Sequence, residues 1–390
     1  MKNLFKISLF LLISTSCSNN KLNNMLINND IFIVDLDKAE KKDTLFLSTL
    51  FKSVKCIPLE TSDNSLMGRI DKILVFDKNI YVLDVSSAKG LFIFDEKGSF
   101  IQRVGNIGNG PGEYIRIIDF SIDTDKNEII ILDEARKLIF YDIFTCKYLR
   151  TVNTPNFPIT SIQYFNGMLY ADLHNYLQTP DDCLMQTIDL STGKQIDKYL
   201  NTNEYNKGIN QLIKSDMPYF IPSSQPPFLF RQLFMDTFIS LTPQGIQPFL
   251  TVKSKNFVSE KELEGFESTR IRSLVQGDKI FSFISYFSHN DYIHFKYRQG
   301  FEYSVIYDTS LNKTMIYNFT YNDLLYNQQA QIIFQSVFFD KTGVYECISI
   351  NLMSTFLRYI KEDKFKSEIK NQLTEIDEES NPVIFYYEFK

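Results

Sequence analysis

Short apolar runs, separated by clusters of Gly, Asp and Asn, recur along this chain of 390 residues. The clearest set consists of three runs, Ile80–Asp84, Gly90–Asp95 and Phe100–Val104. β-Branched and aromatic residues dominate these runs and turn-forming residues lie between them, which is typical of consecutive antiparallel strands. The pattern therefore predicts a chain that is built mainly of short β-strands.

The same order of runs returns in further sets, which become less regular along the chain. The later sets contain the runs Ile129–Asp133, Leu138–Asp142, Tyr148–Val152, Met168–Tyr170, Met185–Asp189, Gln195–Leu200, Phe238–Leu241, Pro248–Val252, Asp291–Phe295, Tyr303–Asp308, Thr314–Phe319 and Gly343–Cys347. Equivalent positions lie about 40 to 70 residues apart, and such a period with four strands in each repeat is typical of propeller blades. A four-stranded sheet cannot bury both faces alone, so neighbouring blades must pack around a common axis. The sequence predicts an all-β fold, a single six-bladed β-propeller of four-stranded antiparallel blades over residues 31–390.

Helical patterns are scarce and lie between the strand runs. Ser259–Glu267 and Thr355–Leu373 are the best candidates for helices, and we expect both to decorate blade loops. Closure of the ring is predicted to use an N-terminal strand, Val54–Leu59, or the C-terminal strand Val383–Phe389 to complete the blade at the opposite end of the chain. Such closure removes an exposed sheet edge.

The first residues have the order of a secretory signal. Lys2 and Lys6 precede the apolar stretch Ile7–Ile13, and a run of small residues leads to Cys17. This stretch is too short to span a bilayer. The cysteine after the cleavage point resembles the bacterial lipobox, which implies lipid attachment to Cys17. Residues 1–16 are predicted to be the lipoprotein signal peptide and residues 17–30 a flexible tether; an ordinary signal peptide with a chance cysteine remains the alternative.

Composition narrows the possible partners. The chain is 44% hydrophobic and 15% aromatic, with a net charge of -6 and no basic cluster, so nucleic acid is not an expected partner. After Cys17, four scattered cysteines remain, and they form no C-x-x-C pair. We expect buried free thiols, with one long-range disulfide as the alternative. No later stretch reaches the ~18 apolar residues of a membrane helix, so the predicted contact with a membrane is through the N-terminal lipid.

Three segments together carry a family resemblance. They are Ile57–Thr61 with the following Ser65–Ile70, the glycine-rich stretch Val104–Tyr114, and the terminal Glu378–Phe389. They resemble the six-bladed β-propeller lipoproteins of Bacteroides-type bacteria, a family with an NHL-like propeller. The resemblance implies placement in the periplasm or at the cell surface. The family carries no established catalytic set, so the resemblance assigns no active site.

The loop Gly105–Gly112 is the most suggestive chemical motif. Its glycines permit the close backbone approach that phosphate-binding loops need, but Glu113 stands where a Walker motif has its lysine. We expect a structural turn between blades, with contact to a ligand as the alternative. On that geometry Glu113, Tyr114 and Arg116 would lie nearest the axis, and Arg69 would hold the corresponding place before the previous blade. These four residues are the predicted binding residues.

Metal sites and cofactors are not predicted. Asp123–Glu134 has the spacing of an EF-hand loop, but Glu128 replaces the glycine at its sixth place, so a hairpin tip is expected. His289 and His294 are five residues apart, and on one strand they would point to opposite faces. His174 together with one of them could meet at the propeller axis, and this is the metal-site alternative.

Two functions from different classes follow. The first is a lipid-anchored binding or scaffold module of the cell envelope, whose ligand is a glycan, a peptide or an envelope protein. Its expected location is the outer membrane, with the periplasmic side favoured over the cell surface. The alternative is a hydrolase or lyase with its site on the axis, which would need carboxylates or histidines to converge there. No G-x-S-x-G motif or Trp is present, which excludes the usual α/β-hydrolase nucleophile elbow and WD signature.

The lipid anchor leads to a direct prediction. Cys17→Ala removes the only predicted attachment point, so the protein should move from the membrane to the soluble fraction after cell lysis. Fractionation followed by a carbonate wash measures this. A Cys17→Ala protein that still sediments with the washed membranes would contradict the anchor.

Overall fold

The computed structural model of the protein describes residues 31–154, 159–173, 183–201, 219–263, 273, 276–327, 334–348 and 352–390. In these ranges the chain forms six main sheets, which are the six blades of a β-propeller, as the repeated apolar runs predict. The chain begins with three strands that belong to the last blades. They are β1 (Phe32–Asp35), β2 (Glu40–Phe46) and β3 (Phe51–Pro58), with a short 3₁₀ turn at Leu47–Thr49.

Blades 1 to 3 each follow the chain from the axis to the rim. Their strands are β4 (Lys72–Phe76), β5 (Asn79–Asp84), β6 (Gly90–Phe94) and β7 (Phe100–Val104); then β10 (Ile117–Asp123), β11 (Glu128–Asp133), β12 (Lys137–Asp142) and β13 (Tyr148–Asn153); then β14 (Ser161–Phe165), β15 (Met168–Asp172), β16 (Cys183–Ile188) and β17 (Gln195–Asn201). A parallel two-stranded ribbon, β8 (Asn106–Ile107) with β9 (Glu113–Tyr114), lies between blades 1 and 2.

Blades 4 to 6 combine later strands with the N-terminal ones. Their own strands are β18 (Leu229–Phe230), β19 (Thr237–Thr242) and β20 (Gly245–Lys253); then β21 (Phe283–His289), β22 (Tyr292–Gln299), β23 (Phe301–Asp308) and β24 (Lys313–Tyr321); then β25 (Phe334–Phe339), β26 (Gly343–Ile348) and β27 (Val383–Phe389). A bridge between Phe220 and Phe230 adds a short innermost segment to blade 4.

The N-terminal strands cover the outer edges of blades 4, 5 and 6 in succession. β1 pairs in parallel with β20, β2 pairs in parallel with β24, and β3 pairs antiparallel with β27. The two strands proposed for closure therefore pair with each other in blade 6, with Val383 opposite Pro58. The parallel pairing of β1 and β2 was not expected from the antiparallel repeat, because the sequence pattern of a strand does not reveal which distant edge it covers.

Packing between blades explains the unbroken apolar runs. In β5 and β11 nearly every side chain is buried, because each middle strand has a neighbouring blade on both faces. The rim strand β13 exposes most of its side chains, since water lies beyond it. No disulfide joins the four cysteines of the described chain to one another, and Cys56, Cys183 and Cys347 are buried.

One of the two predicted helices is divided in two, and only the start of the other lies within the described residues. α1 (Glu260–Leu263) begins after Ser259, whose hydroxyl donates to Glu262 Oε2 (2.7 Å); the predicted remainder of this helix, residues 264–267, lies outside the described residues. The predicted helix Thr355–Leu373 is instead two helices, α2 (Met353–Lys361) and α3 (Ser367–Gln372). Between them Asp363 has a φ of +53°, which ends α2 and allows Phe365 to pack on Tyr326.

Glycine permits close contact between the rim hairpin of one blade and the previous blade. Gly193, in the hairpin between β16 and β17, has a φ of +70°, and a Cβ there would collide with the carbonyl oxygen of Asn153 at the end of β13. Gly98 has the corresponding position in blade 1 and faces the carbonyl oxygen of Pro58 at the end of β3. The backbone of each hairpin therefore packs directly on the preceding blade.

A buried amide locks the seam between blades 6 and 1. Asn381, just before β27, accepts a hydrogen bond from the Met67 N–H (2.8 Å) on Oδ1. Its Nδ2 donates to the carbonyl oxygens of Glu60 (2.7 Å) and Ser65 (2.9 Å), and its backbone N–H donates to Thr61 Oγ1 (2.9 Å). One side chain thus joins the C-terminal blade to the loop that leads into the first blade.

Gly193→Ala should destabilise the protein more than Gly167→Ala. Both glycines have positive φ and so share the backbone cost, but a Cβ on Gly167 meets no atom within 4 Å. We expect the free energy of unfolding to fall by at least about 1 kcal/mol more for the Gly193 variant, the cost of overpacking. Equal losses in denaturant titrations would contradict the contact between blades.

Asn381→Ala should weaken the closed ring. The substitution leaves the Met67 N–H and the Ser65 carbonyl group without partners at a buried seam, at about 1–3 kcal/mol for each group that water does not reach, while the Glu60 carbonyl oxygen keeps the Ser65 hydroxyl (2.7 Å). We expect unfolding free energy to fall by at least about 2 kcal/mol. The exposed Asn371→Ala in α3 serves as the control, and a similar small loss in both variants would show that the seam does not depend on this amide.

Candidate binding cleft on the top face

We call the end of the propeller at which the chain enters each innermost strand the top face. At this face a buried aspartate ends the second strand of blades 1, 2 and 3. Asp84 Oδ2 accepts the N–H groups of Gly68 (2.8 Å) and Arg69 (3.2 Å). Asp133 Oδ1 accepts those of Ile115 (3.0 Å) and Arg116 (2.9 Å). Carboxylates that accept two backbone N–H groups act here as caps, so the recurring Asp of the repeat shapes the loops of the top face.

Arg69 and Arg116 occupy corresponding places in blades 1 and 2, as the sequence indicated. Each guanidinium pairs with a carboxylate of its own blade. Arg69 Nη2 lies 2.6 Å from Asp71 Oδ1. Arg116 donates two hydrogen bonds, of 2.7 and 3.0 Å, to the carboxylate of Glu134. Both side chains remain more than one third exposed, so their role in binding a ligand stays a prediction.

Glu113 and Tyr114 do not lie nearest the axis, and this expectation is wrong. Tyr114 is fully buried among core side chains, where burial raises the pKa of its hydroxyl group and Arg103 Nε donates to that oxygen (3.2 Å). Glu113 Oε2 accepts the Gly110 N–H (2.7 Å) and closes the glycine-rich loop on itself. Tyr141 in β12 donates to the Gly112 carbonyl oxygen (2.7 Å).

These contacts place the loop Gly105–Gly112 against the outer strands of blade 2, near the rim. A Cβ on Gly112 would lie 2.8 Å from Cβ of Tyr148, the first residue of the rim strand β13. The loop is therefore the structural turn between blades that the sequence favoured. Its position at the rim could not be read from the sequence, because it depends on the contact with Tyr141 and Tyr148.

An ion pair that the sequence analysis missed lies at the axis. Lys72 Nζ contacts both carboxylate oxygens of Asp119 at 2.9 and 3.0 Å, and donates to the carbonyl oxygens of Phe120 (2.7 Å) and Ile162 (3.3 Å). It thereby joins the innermost strands β4, β10 and β14. A β-bulge between Ile117 and Asp119 helps to direct the carboxylate. The sequence did contain a sign of this ion pair, because the carboxylate of Asp119 lies inside the apolar run Ile117–Phe120.

The histidines are placed differently from the prediction. His289 and His294 lie on adjacent strands, β21 and β22, and the register puts them on the same face rather than on opposite faces. His294 stacks on Phe287 (ring centroids 4.4 Å apart) and His289 on Phe389 (4.2 Å). Burial lowers the pKa of His294 to about 3, so its ring is neutral at neutral pH. His174 lies outside the described residues.

The EF-hand spacing belongs to a hairpin, as expected. Asp123 Oδ1 accepts the N–H groups of Asp125 (3.0 Å) and Lys126 (2.9 Å) in the turn between β10 and β11. Glu134 follows the far end of β11 and pairs with Arg116, so Asp123 and Glu134 cannot share one ion. Within the described ranges, no group of three or more His, Cys, Asp or Glu side chains could hold a metal ion.

A cleft of about 720 Å³ opens on the top face between blades 6 and 1. The loop that leads into blade 1 forms one wall, and the connection between β26 and β27 forms the other. The lining residues are Thr61, Ser62, Asp63, Leu66, Met67, Gly68, Ser87, Ala88, Met353, Glu378, Glu379, Ser380 and Pro382. The lining thus joins residues from the two ends of the described propeller chain.

The cleft is apolar at its base and acidic at its rim. Met67 and Pro382 are buried, while Leu66 is 54% exposed and so offers apolar surface to a ligand. The rim carries the exposed carboxylates of Asp63, Glu378 and Glu379. Among the described residues none of these three side chains has an ion pair or a hydrogen bond, and no lining residue is basic.

The walls of the cleft are held in place before any ligand binds. Asn381 ties the segment that carries Glu378 and Glu379 to Met67, 314 positions earlier in the chain. Gly68 packs so closely on Ser87 that a Cβ would collide with the serine hydroxyl. A fixed cleft loses less conformational entropy on binding than a loose one. Sequence reasoning missed the cleft because its walls come from opposite ends of the chain.

No helix in the described ranges is long and apolar enough to cross a membrane. The fold is similar to that of a Bacteroides fragilis protein described as exported, with 20% identity, a TM-score of 0.70 and coverage of 93% of this chain and 100% of that chain. Hydrazine synthase of Kuenenia stuttgartiensis is a remoter likeness, with 8% identity, a TM-score of 0.42 and coverage of 80% and 85%. The first likeness shows a shared fold alone, and the second supports no argument. No curated protein matches the chain.

The family comparison covers the whole propeller. The sequence profile of a family described as Domain of unknown function (DUF4934) matches residues 31–388, from the residue before β1 almost to the end of β27. The six blades of the structure agree with the resemblance to six-bladed propeller proteins, while the lipoprotein and NHL-like parts of that resemblance stay predictions. The chain therefore belongs to the DUF4934 family.

Proposed function

We propose that this protein is a binding or scaffold module of the bacterial cell envelope and that it recognises its ligand in the top-face cleft. The observation that carries this proposal is the cleft itself. It has walls fixed by Asn381, an exposed apolar side chain at Leu66, and carboxylates at Asp63, Glu378 and Glu379 that have no partner among the described residues. Its volume lies in the range of ligand sites, roughly 300–1,000 Å³.

The envelope location rests on the N-terminal pattern and on a neighbour of the same fold. The Bacteroides fragilis protein is described as exported, which supports placement outside the cytoplasm. Lipid on Cys17 would hold the protein to the outer membrane, with the periplasmic side favoured. The chain from Cys17 to Ile31 reaches at most about 50 Å when fully extended, so the propeller would stay within that distance of the bilayer.

Binding is favoured over catalysis by the state of the polar groups near the axis. Lys72 and Asp119 bind each other and the backbone, so neither offers a free proton donor or acceptor. His289 and His294 stack on phenylalanine rings. The hydrolase or lyase alternative would need reactive groups that converge, and these four side chains do not form such a group.

The experiment is a thermal-shift screen of the Cys17→Ala protein against glycans, muropeptides and short peptides. A ligand of the cleft should bind at least tenfold more weakly to Leu66→Lys, because the substitution replaces apolar surface with a charged, flexible side chain. Leu311→Lys is the matched control, since Leu311 is 71% exposed in a hairpin of the opposite face.

Both lysine variants should have the melting temperature of the parent protein, because each leucine is already exposed. A ligand that binds Leu66→Lys and the parent equally well lies outside the cleft and contradicts the proposed site. Turnover of any screened compound would contradict a purely binding function.

A further inference from the structure

We propose that the top-face cleft takes a cationic peptide segment with apolar side chains, such as a basic stretch of an envelope protein. This inference rests on the proposed function, because it names the ligand class of the same site. The charge of the cleft is the first argument. Asp63, Glu378 and Glu379 face one space, the lining residues that the structure describes include no basic one, and Arg69 nearby is already paired with Asp71. A cationic ligand complements this surface, and an anionic one is repelled.

The apolar base is the second argument. Leu66 is half exposed and Met353 is partly buried, so both can contact a ligand, and Met67 and Pro382 lie behind them. A small polar cation would leave this apolar surface exposed to water. Lys and Arg side chains carry long aliphatic stems that can cover apolar surface while their charged ends reach the carboxylates, and an adjacent leucine-like side chain adds to the contact.

The same lining argues against other ligand classes. None of the described residues that line the cleft is aromatic, so these residues offer no stacking surface of the kind on which sugar rings commonly pack. Phosphorylated ligands and nucleic acids need basic side chains, and the described lining residues include none. The three carboxylates do not form a group that could hold one metal ion in the described chain, which suits several separate cationic groups better than a single divalent ion.

Hydroxyl groups along the rim complete the match to a peptide. The hydroxyl groups of Thr61 and Ser87 line the cleft and can exchange hydrogen bonds with a peptide backbone. The hydroxyl groups of Ser62 and Ser380 also line it, but they already bind Ser65 Oγ (2.9 Å) and Asp377 Oδ1 (2.8 Å). Thr61 also accepts the Asn381 N–H (2.9 Å), which fixes its side chain at the seam. The cleft thus offers carboxylates for basic side chains, an apolar base for their stems and hydroxyls for the main chain.

The test uses fluorescence anisotropy with the Cys17→Ala protein and three labelled ten-residue peptides. One alternates Lys and Leu, the second replaces every Lys by Glu, and the third replaces every Leu by Ser. We expect the Lys–Leu peptide to bind at least tenfold more tightly than either of the others. Its affinity should fall between 20 and 150 mM NaCl, because salt screens exposed charges.

The variant Asp63→Asn/Glu378→Gln/Glu379→Gln removes the three charges of the rim while keeping side-chain size. We expect the dissociation constant of the Lys–Leu peptide to rise about tenfold, as three exposed charge pairs would give. These side chains are exposed, so folding should be unaffected and the melting temperature checks this.

The control variant Asp43→Asn/Asp77→Asn/Glu96→Gln removes the same number of charges elsewhere. These residues are exposed in β2 and in the hairpins β4–β5 and β6–β7, of which the hairpins lie on the opposite face. Binding should stay within twofold of the parent protein. If both triple variants bind the Lys–Leu peptide equally weakly, the effect comes from the net charge of the protein and the proposal is overturned.

The remaining outcomes separate the inference from the function on which it rests. If the Ser-containing peptide binds as tightly as the Lys–Leu peptide, the ligand does not need apolar side chains. If the Glu-containing peptide binds as tightly as the Lys–Leu peptide, the ligand does not need to be cationic. Either result overturns the inference. If the Lys–Leu peptide does not bind, but a glycan or muropeptide binds the parent protein more tightly than Leu66→Lys, the inference is wrong and the proposed binding function is supported. If Leu66→Lys weakens the binding of no ligand, both the inference and the proposed binding function of the cleft are wrong.

Discussion

The pairing of β3 with β27 is the interaction on which the rest of the structure depends. It gives blade 6 its outer strand from the N-terminal part of the chain and its inner three from the C-terminal part, with Val383 opposite Pro58. Each blade buries its two faces only because another blade lies on each side, so an open ring would expose one face of blade 1 and one of blade 6. The buried amide of Asn381 reinforces the same seam, because it fixes the loop that follows β3 to the residues that precede β27.

Closure of the ring also creates the cleft. One wall follows β3 and the other precedes β27, so the two walls meet only when these strands pair. The carboxylates of Glu378 and Glu379 are therefore positioned by the element that holds the fold together. In this arrangement recognition needs no hinge, and a ligand that contacts both walls should stabilise the closed ring, since it binds the folded state alone.

Four charged residues at the top face and the axis stabilise the fold itself. Asp84 and Asp133 cap the loops that lead into their blades, and Lys72 with Asp119 joins three innermost strands. A buried polar group without a partner would cost free energy, so the fold uses these groups where it buries them. The unpaired carboxylates at the rim of the cleft differ because they are exposed and are not needed by the fold, which leaves them available for a partner.

The amino-acid sequence by itself determined the class of fold and the number of blades, since alternating apolar runs and turn residues act over a few positions and repeat along the chain. It also located the hairpin at Asp123 and the structural nature of the loop Gly105–Gly112. Only the tertiary structure decided that β1 and β2 pair in parallel with blades 4 and 5, that Tyr114 is buried near the rim, and that Asn381 meets Met67. These outcomes depend on contacts between residues far apart in the chain, and the local pattern of polar and apolar residues does not encode which distant surfaces will meet.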